Sequence, residues 1–141
     1  LAFLDIDCLT QINDRYGYST GDIVLRQCGQ LLRQIFQQQA VVARWVGEEF
    51  VVTLYGATKA EGIERLSRVS QTIRQQWFTS SDRTHRFRVT VSAGIAQYPD
   101  DGTDLDSLCR AAIAALHQSK LAGCDCIFSA GGTPSSILAS S

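Results

Sequence analysis

Residues 40–55 read Ala40-Val41-Val42-Ala43-Arg44-Trp45-Val46-Gly47-Glu48-Glu49-Phe50-Val51-Val52-Thr53-Leu54-Tyr55. Ala40 to Trp45 and Phe50 to Tyr55 are two β-rich runs. The four residues between them, Val46-Gly47-Glu48-Glu49, have the length and chemistry of a hairpin turn. The turn carries two adjacent carboxylates. Upstream, Leu1 to Ile6 is an apolar run of buried-strand length closed by Asp5 and Asp7. Pairing this strand with both arms of the hairpin would bring Asp5 beside the Glu48 turn.

The rest of the chain supplies helices to cover that sheet. Leu9, Ile12 and Tyr16 fall at helical spacing before Gly17, and Val24, Cys28, Leu31 and Ile35 recur every three or four residues up to the polar tract Gln37-Gln38-Gln39. Ile63, Leu66, Val69, Ser70, Ile73 and Trp77 mark a second long helix. Thr79 to His85 is a polar loop, and Phe87 to Tyr98 reads as one strand in period 2, ended by Pro99-Asp100-Asp101-Gly102. A third helix opens with Thr103 and Asp106 in capping-box register and presents Leu105, Leu108, Cys109, Ala112, Ile113 and Leu116 on one face, stopping at Gly123. Cys126 to Phe128 is a last short strand. The order predicts an α+β fold, a mainly antiparallel central sheet flanked by helices. Residues 1–128 form one domain and 129–141, rich in Gly, Ser and Ala, a loosely held tail.

Composition narrows the function classes. In 141 residues, 45% are hydrophobic and 19% charged, which fits a globular domain and neither a disordered tail nor a membrane span. Thirteen basic against fourteen acidic residues give a net charge of −1, so no global positive field holds a nucleic-acid backbone. A ferredoxin-like RNA-binding module shares this strand order, but the chain lacks its basic surface and paired strand aromatics. Five cysteines, an odd number without C-x-x-C units, point to a reducing, cytoplasmic compartment. The chain begins without Met inside an apolar run, which suggests a piece of a longer protein.

Asp5 and Asp7 at one strand end, and Glu48 and Glu49 at a hairpin tip, are where carboxylates cluster beside apolar strands. Magnesium takes oxygen ligands and keeps several waters, so one or two carboxylates plus substrate phosphates suffice for phosphoryl or nucleotidyl transfer. The same residues also read as strand-end caps and solvated turn acids.

Asp5-Ile6-Asp7, then Asn13-Asp14, Tyr16-Gly17 and Gly21-Asp22, then Arg44-Trp45-Val46-Gly47-Glu48-Glu49-Phe50, together resemble the GGDEF domain of diguanylate cyclases. Ser92-Ala93-Gly94-Ile95-Ala96 and Ala115-Leu116 with Lys120 and Gly123 resemble its later blocks, in the family's order and spacing over residues 1–128. The resemblance implies a palm-like fold related to nucleotide cyclases and the joining of two GTP molecules into cyclic di-GMP. It implies that Asp5, the carbonyl of Ile6, Glu48 and Glu49 bind magnesium, with manganese as a substitute, and that Glu48 helps deprotonate the 3′-hydroxyl. Asn13 and Asp22 would read guanine, Lys120 would meet phosphate, and Tyr18 and Gly47 would complete the substrate site. Each chain would hold one GTP, so catalysis implies a homodimer driven by regions outside this piece.

Departures from the family pattern set up an alternative. Val46 replaces its first turn glycine, Thr10 a lysine, and Cys124 an arginine, while Tyr18 and His117 exchange a His and a Tyr. Each lost phosphate-facing charge costs about 1.5–3 kcal/mol. The alternative is a degenerate GGDEF module that binds GTP or dimerises and regulates attached domains without catalysis. Many family members also carry an R-x-x-D inhibitory site for the product. Gln37-Gln38-Gln39-Ala40 stands there without either charge, so tight product binding is expected to be lost.

Overall fold

In the computed structural model, which describes residues 1–45 and 47–131 and the backbone of residues 134–135, the N-terminal apolar run takes the middle of the sheet. Strand β1 (Ala2–Ile6) is buried along its whole length. It is followed by α1 (Leu9–Tyr16), α2 (Tyr18–Phe36), β2 (Ala40–Arg44), β3 (Glu49–Leu54), α3 (Lys59–Gln75), β4 (Phe78–Thr79), β5 (Arg86–Phe87), β6 (Val91–Ile95), α4 (Leu105–Leu121), β7 (Ile127–Ser129) and β8 (Pro134–Ser135). The six-stranded sheet runs β2-β3-β1-β6-β7-β8, and β4 and β5 form a separate small ribbon. The β6–β7 pair is parallel and the other pairings are antiparallel, so the central sheet is mixed within an α+β architecture.

Period 2 divides the two faces of β1. Ala2, Leu4 and Ile6 join the core under α1, α2 and α3, with Leu9, Val24, Leu32, Phe36, Leu66 and Ile73. Phe3 joins the opposite core with Ala112 and Leu116 of α4. Asp5 follows Phe3 on that second face, and Lys120 lies one helical turn beyond Leu116, so strand and helix periodicities alone bring the two charges together. Gly94 of β6 sets how closely α4 can lie. A Cβ there would come within 2.2 Å of both the Ala112 oxygen and the Leu116 nitrogen.

Several expectations need correction. Strand β1 pairs with β3 and β6, not with both arms of the hairpin. Being apolar on both faces, it takes the centre, while among the described residues β2 pairs with β3 alone and leaves Val41 exposed at the sheet edge. The segment read as one strand from Phe87 to Tyr98 is split, because Arg86–Phe87 pair with Phe78–Thr79 before the chain crosses to β6. Helix α3 stops at Gln75, short of Trp77, and starts from an unread capping box between Thr58 and Glu61. The capping box of α4 is shifted by one residue. Asp104 accepts from the Ser107 N–H at 2.7 Å, and Ser107 answers the Asp104 N–H. Leu105 is accordingly 70% exposed, and Ile113 also points outward. Strand β7, expected over Cys126 to Phe128, runs from Ile127 to Ser129 and pairs with β8, and the Ala130 N–H donates to the Ile95 carbonyl at 2.8 Å. The expected loose tail otherwise falls largely on residues outside those described, as does the backbone of Val46. No helix among the described residues is long and apolar enough to cross a membrane.

Candidate active site

The hairpin turn and the end of β1 meet in register. Asp5 stands directly opposite Glu49 across the β1–β3 pair, and opposite Ser92 across the β1–β6 pair. The turn is closed by the Trp45 N–H donating to the Glu49 carbonyl at 2.8 Å and by Arg44 donating to the Gly47 carbonyl at 2.9 Å. Gly47 has φ +64°, with open space around it. Like charges placed opposite each other in a sheet are destabilising, so a carboxylate cluster here opposes the fold.

Asp5 is 2% exposed. Lys120 donates to its Oδ2, while Oδ1 is buried without a hydrogen-bond partner. Burial, with help from Asp7, pushes the Asp5 carboxyl above the usual carboxylate range against the pull of Lys120. Glu48 and Glu49 are raised for the same reasons, burial first and the Asp5 charge second, again with Lys120 opposing. Burial works to lower Lys120, but its bond to Asp5 and the charges of Asp5, Glu48 and Asp7 outweigh it and hold the ammonium above its usual range. Ile6 ends β1 opposite Val91. Among the described residues no three His, Cys, Asp or Glu side chains converge into a closed metal cage. A buried, unpartnered carboxylate oxygen next to two further carboxylates nevertheless fits a hard cation that completes its shell with phosphate and water.

Asp7 turns out to be different. Its Oδ2 accepts from Thr90 Oγ1 at 2.6 Å and the Asp125 N–H at 3.0 Å, and its Oδ1 from Ser92 Oγ at 2.6 Å. This carboxylate is saturated by the fold, so the strand-end acid pair seen in the sequence divides into one open and one closed member.

A second group of candidates lines a separate cleft of about 400 Å³ where α1 meets α2, formed by Asn13, Tyr18, Asp22 and their neighbours. Asn13 Oδ1 is shielded from solvent and has no hydrogen-bond partner. It occupies the space a side chain at Gly21 would need, since a Cβ there would lie 1.8 Å from it. Asp22 pairs with Arg26 one turn on at 2.7 Å, and Tyr18 is 79% exposed. The departures also find their places. Thr10 is exposed on the first turn of α1, and Cys124 has φ +67° with its thiol 4.0 Å from the Lys120 carbonyl.

A family model described as "Diguanylate cyclase, GGDEF domain" matches residues 1–126. The chain belongs to the GGDEF domain family. The GGDEF domain of YfiN (TpbB) from Pseudomonas aeruginosa shares its fold with a TM-score of 0.87 at 26% identity, over 94% of this chain and 81% of that one. The GGDEF domain of DgcB from Caulobacter crescentus, solved in complex with c-di-GMP, gives 0.85 at 26% identity, over 93% and 77%. Diguanylate cyclase DgcP of Escherichia coli K12 is 32% identical over 120 residues, covering 85% of this chain and 35% of that protein. The cyclic di-GMP phosphodiesterase NbdA of Pseudomonas aeruginosa is 35% identical over 123 residues, covering 87% and 15%. The GGDEF chain described here thus spans well under half the length of these two relatives.

Sequence reasoning missed the residues that position this GGDEF site rather than form it. Thr90 and Ser92 hold Asp7, Gly94 seats α4, and Arg74 fixes Asp125 through a 2.7 Å ion pair. The available signal was Ser92 within an otherwise apolar strand, because a hydroxyl facing a core needs a partner.

Proposed function

We propose that this GGDEF domain condenses two GTP molecules into cyclic di-GMP in the cytoplasm, with pyrophosphate leaving as each of the two bonds forms. One observation carries the reading: Asp5 is a buried carboxylate with an unpartnered oxygen, set against Glu48 and Glu49 where nothing in the fold benefits from three acids. Asp5, the carbonyl of Ile6, Glu48 and Glu49 are the oxygen donors for a divalent ion, magnesium or manganese, which supplies charge neutralisation at phosphate and acidifies the attacking hydroxyl.

Glu48 accepts the proton of the 3′-hydroxyl, whose oxygen bonds to the α-phosphorus of the other GTP as the bond to pyrophosphate breaks. Lys120, already drawn to this end of the sheet by Asp5, shares its charge with the phosphates. Asn13 and Asp22 recognise guanine from the α1–α2 cleft: a carboxylate accepts from N1–H and the amino group, and an amide both donates and accepts. Tyr18 flanks the base, and Gly47 keeps the turn free of a side chain. One nucleotide per chain requires two chains with their Glu48 turns facing.

A second reading, a module that binds GTP or dimerises and regulates attached domains, is favoured by the uncharged Thr10 and Cys124 and by a relative named for phosphodiesterase activity. Incubation with GTP and magnesium or manganese, followed by chromatographic separation, distinguishes the two. Cyclic di-GMP formed at a rate rising more steeply than linearly with protein concentration supports the cyclase. GTP bound and returned unchanged supports the regulatory module.

A further inference from the structure

The two-stranded ribbon of β4 and β5 stands apart from the central sheet, with Phe78 opposite Phe87 and Thr79 opposite Arg86. Phe78 is fully buried, and the two phenylalanine rings lie 6.2 Å apart, so this face fastens the ribbon to the core. Alternation sends the neighbours of both phenylalanines to the other face. There the Arg86 and Arg88 guanidiniums lie 4.7 and 4.2 Å from the centre of one ring, that of Trp77. Helix α3 ends before Trp77, which is 44% exposed, and both arginines are exposed. None of the three side chains is used to build the core.

Charge on this face is unbalanced. The stretch Arg83-Thr84-His85-Arg86-Phe87-Arg88 is locally basic in a chain of net charge −1, and Asp82 is the one acid between Gln76 and Thr90. Asp82 is occupied within its own turn, accepting from Ser80 Oγ at 2.6 Å and from the Thr84 N–H and Oγ1 at 3.0 and 2.6 Å. Among the described residues Arg83, Arg86 and Arg88 form no ion pair. Two like charges are thus held on one ring without a counter-charge. Packing against an aromatic face fixes a guanidinium plane at little cost in solvation and leaves its N–H edges free for a bidentate acceptor. Such preorganisation lowers the ordering cost of binding, and exposed Trp and Arg side chains are the types that carry most of the energy of protein interfaces.

We propose that the outer face of this ribbon is a docking surface for an acidic segment of a partner protein, which sets one carboxylate on Arg86, another on Arg88, and its apolar stems against Trp77. A carboxylate matches the guanidinium fork with two parallel N–H···O bonds. In an extended peptide the side chains at i and i+2 share a face about 7 Å apart. Arg86 and Arg88 are separated by the same interval, so alternating Asp or Glu residues meet the two forks in register. A nucleic-acid backbone would need a wider basic field than a chain of net charge −1 supplies. The surface shares no residue with the Asp5 cluster or the α1–α2 cleft, so it stands whether or not the domain makes cyclic di-GMP.

The test is an NMR titration of the isotopically labelled protein at about 0.15 M salt, where charges farther apart than about 8 Å are screened. The probes are a capped peptide of alternating Glu and Thr, the same peptide with Gln for Glu, and a uridylate oligonucleotide. The expected result is a saturable shift of the Trp77 indole N–H with the Glu peptide and none with the Gln peptide, with binding weakened at least about tenfold in Arg86→Gln/Arg88→Gln. Arg86→Lys/Arg88→Lys keeps the charge and loses the forks. Weakened binding in that variant, with thermal unfolding unchanged, separates recognition by the forks from loss of structure. Equal binding of the Gln peptide, binding undiminished in either double variant, tighter binding of the oligonucleotide, or no shift at Trp77 would overturn the proposal.

Discussion

Asp5 and Asp7 lie two residues apart at the same strand end, both buried, and the fold treats them in opposite ways. Asp7 receives two hydroxyls and a backbone N–H, from Thr90, Ser92 and Asp125. Asp5 receives one ammonium, keeps one oxygen without a partner, and faces two more carboxylates. Buried polar groups that serve structure are satisfied, and those that are not mark sites where stability is given up for a ligand. The difference separates a closed socket that holds the β1–β6–β7 end of the sheet from an open cluster that waits for charge.

The largest expected effect belongs to the open cluster. Glu48→Gln should abolish cyclic di-GMP formation, since an amide cannot take the 3′-hydroxyl proton and offers less charge to a metal ion. Its thermal unfolding should stay close to the parent's, because Glu48 is partly exposed in a turn. Product assays and thermal scans on one preparation check both halves, and a large loss of stability would erase the contrast with Asp7. Next in size are the missing cations. Thr10→Lys with Cys124→Arg should raise turnover by about tenfold or more for each restored phosphate contact, and Val46→Gly should add to it. A triple variant that neither binds GTP more tightly nor makes product would return the domain to the regulatory reading.

Asp7 gives the corresponding effect on stability. Asp7→Ala leaves two hydroxyls and an N–H without their acceptor and should cost about 2–4 kcal/mol, a fall of roughly 5–15 °C in Tm by calorimetry. Loss of activity there should follow unfolding rather than precede it.

The sequence made the open cluster easier to read than the closed socket. Asp5, Glu48 and Glu49 sit in a recognisable pattern of strand end and hairpin tip, and local periodicity sufficed to place the helices beside them. The partners of Asp7 lie more than eighty residues away in sequence, and their hydroxyls resemble any alternating polar residue of a strand. The central place of β1 was hidden for a similar reason. A short apolar run shows that both faces are buried but does not name its neighbours, and β6 won the place expected for β2. The break between β5 and β6 was masked by period 2, which runs through Phe87, Val89 and Val91 although the first pairs with a different sheet.

The smallest expected effect is the most discriminating. In the metal-free folded protein, burial first, with the Asp7 charge beside Asp5 and the Asp5 charge beside the two glutamates, holds the proton affinities of Asp5, Glu48 and Glu49 above their ordinary values. Between the ordinary carboxylate range and those raised values the folded state binds more protons than the unfolded chain. The cluster's contribution to stability is therefore present below that window and declines as pH rises through it. Asp5→Asn removes the most buried of these charges and releases Lys120, whose side chain already reaches solvent. The direct measurement is the Tm of metal-free Asp5→Asn against the parent across pH 4–8. The expected result is a Tm at neutral pH equal to the parent's or a few degrees above it, gained by up to about 1 kcal/mol, with a shallower decline as pH rises. A fall in Tm as large as that of Asp7→Ala would show that Asp5 is a structural carboxylate like its neighbour, and the open cluster would lose its claim to be a site.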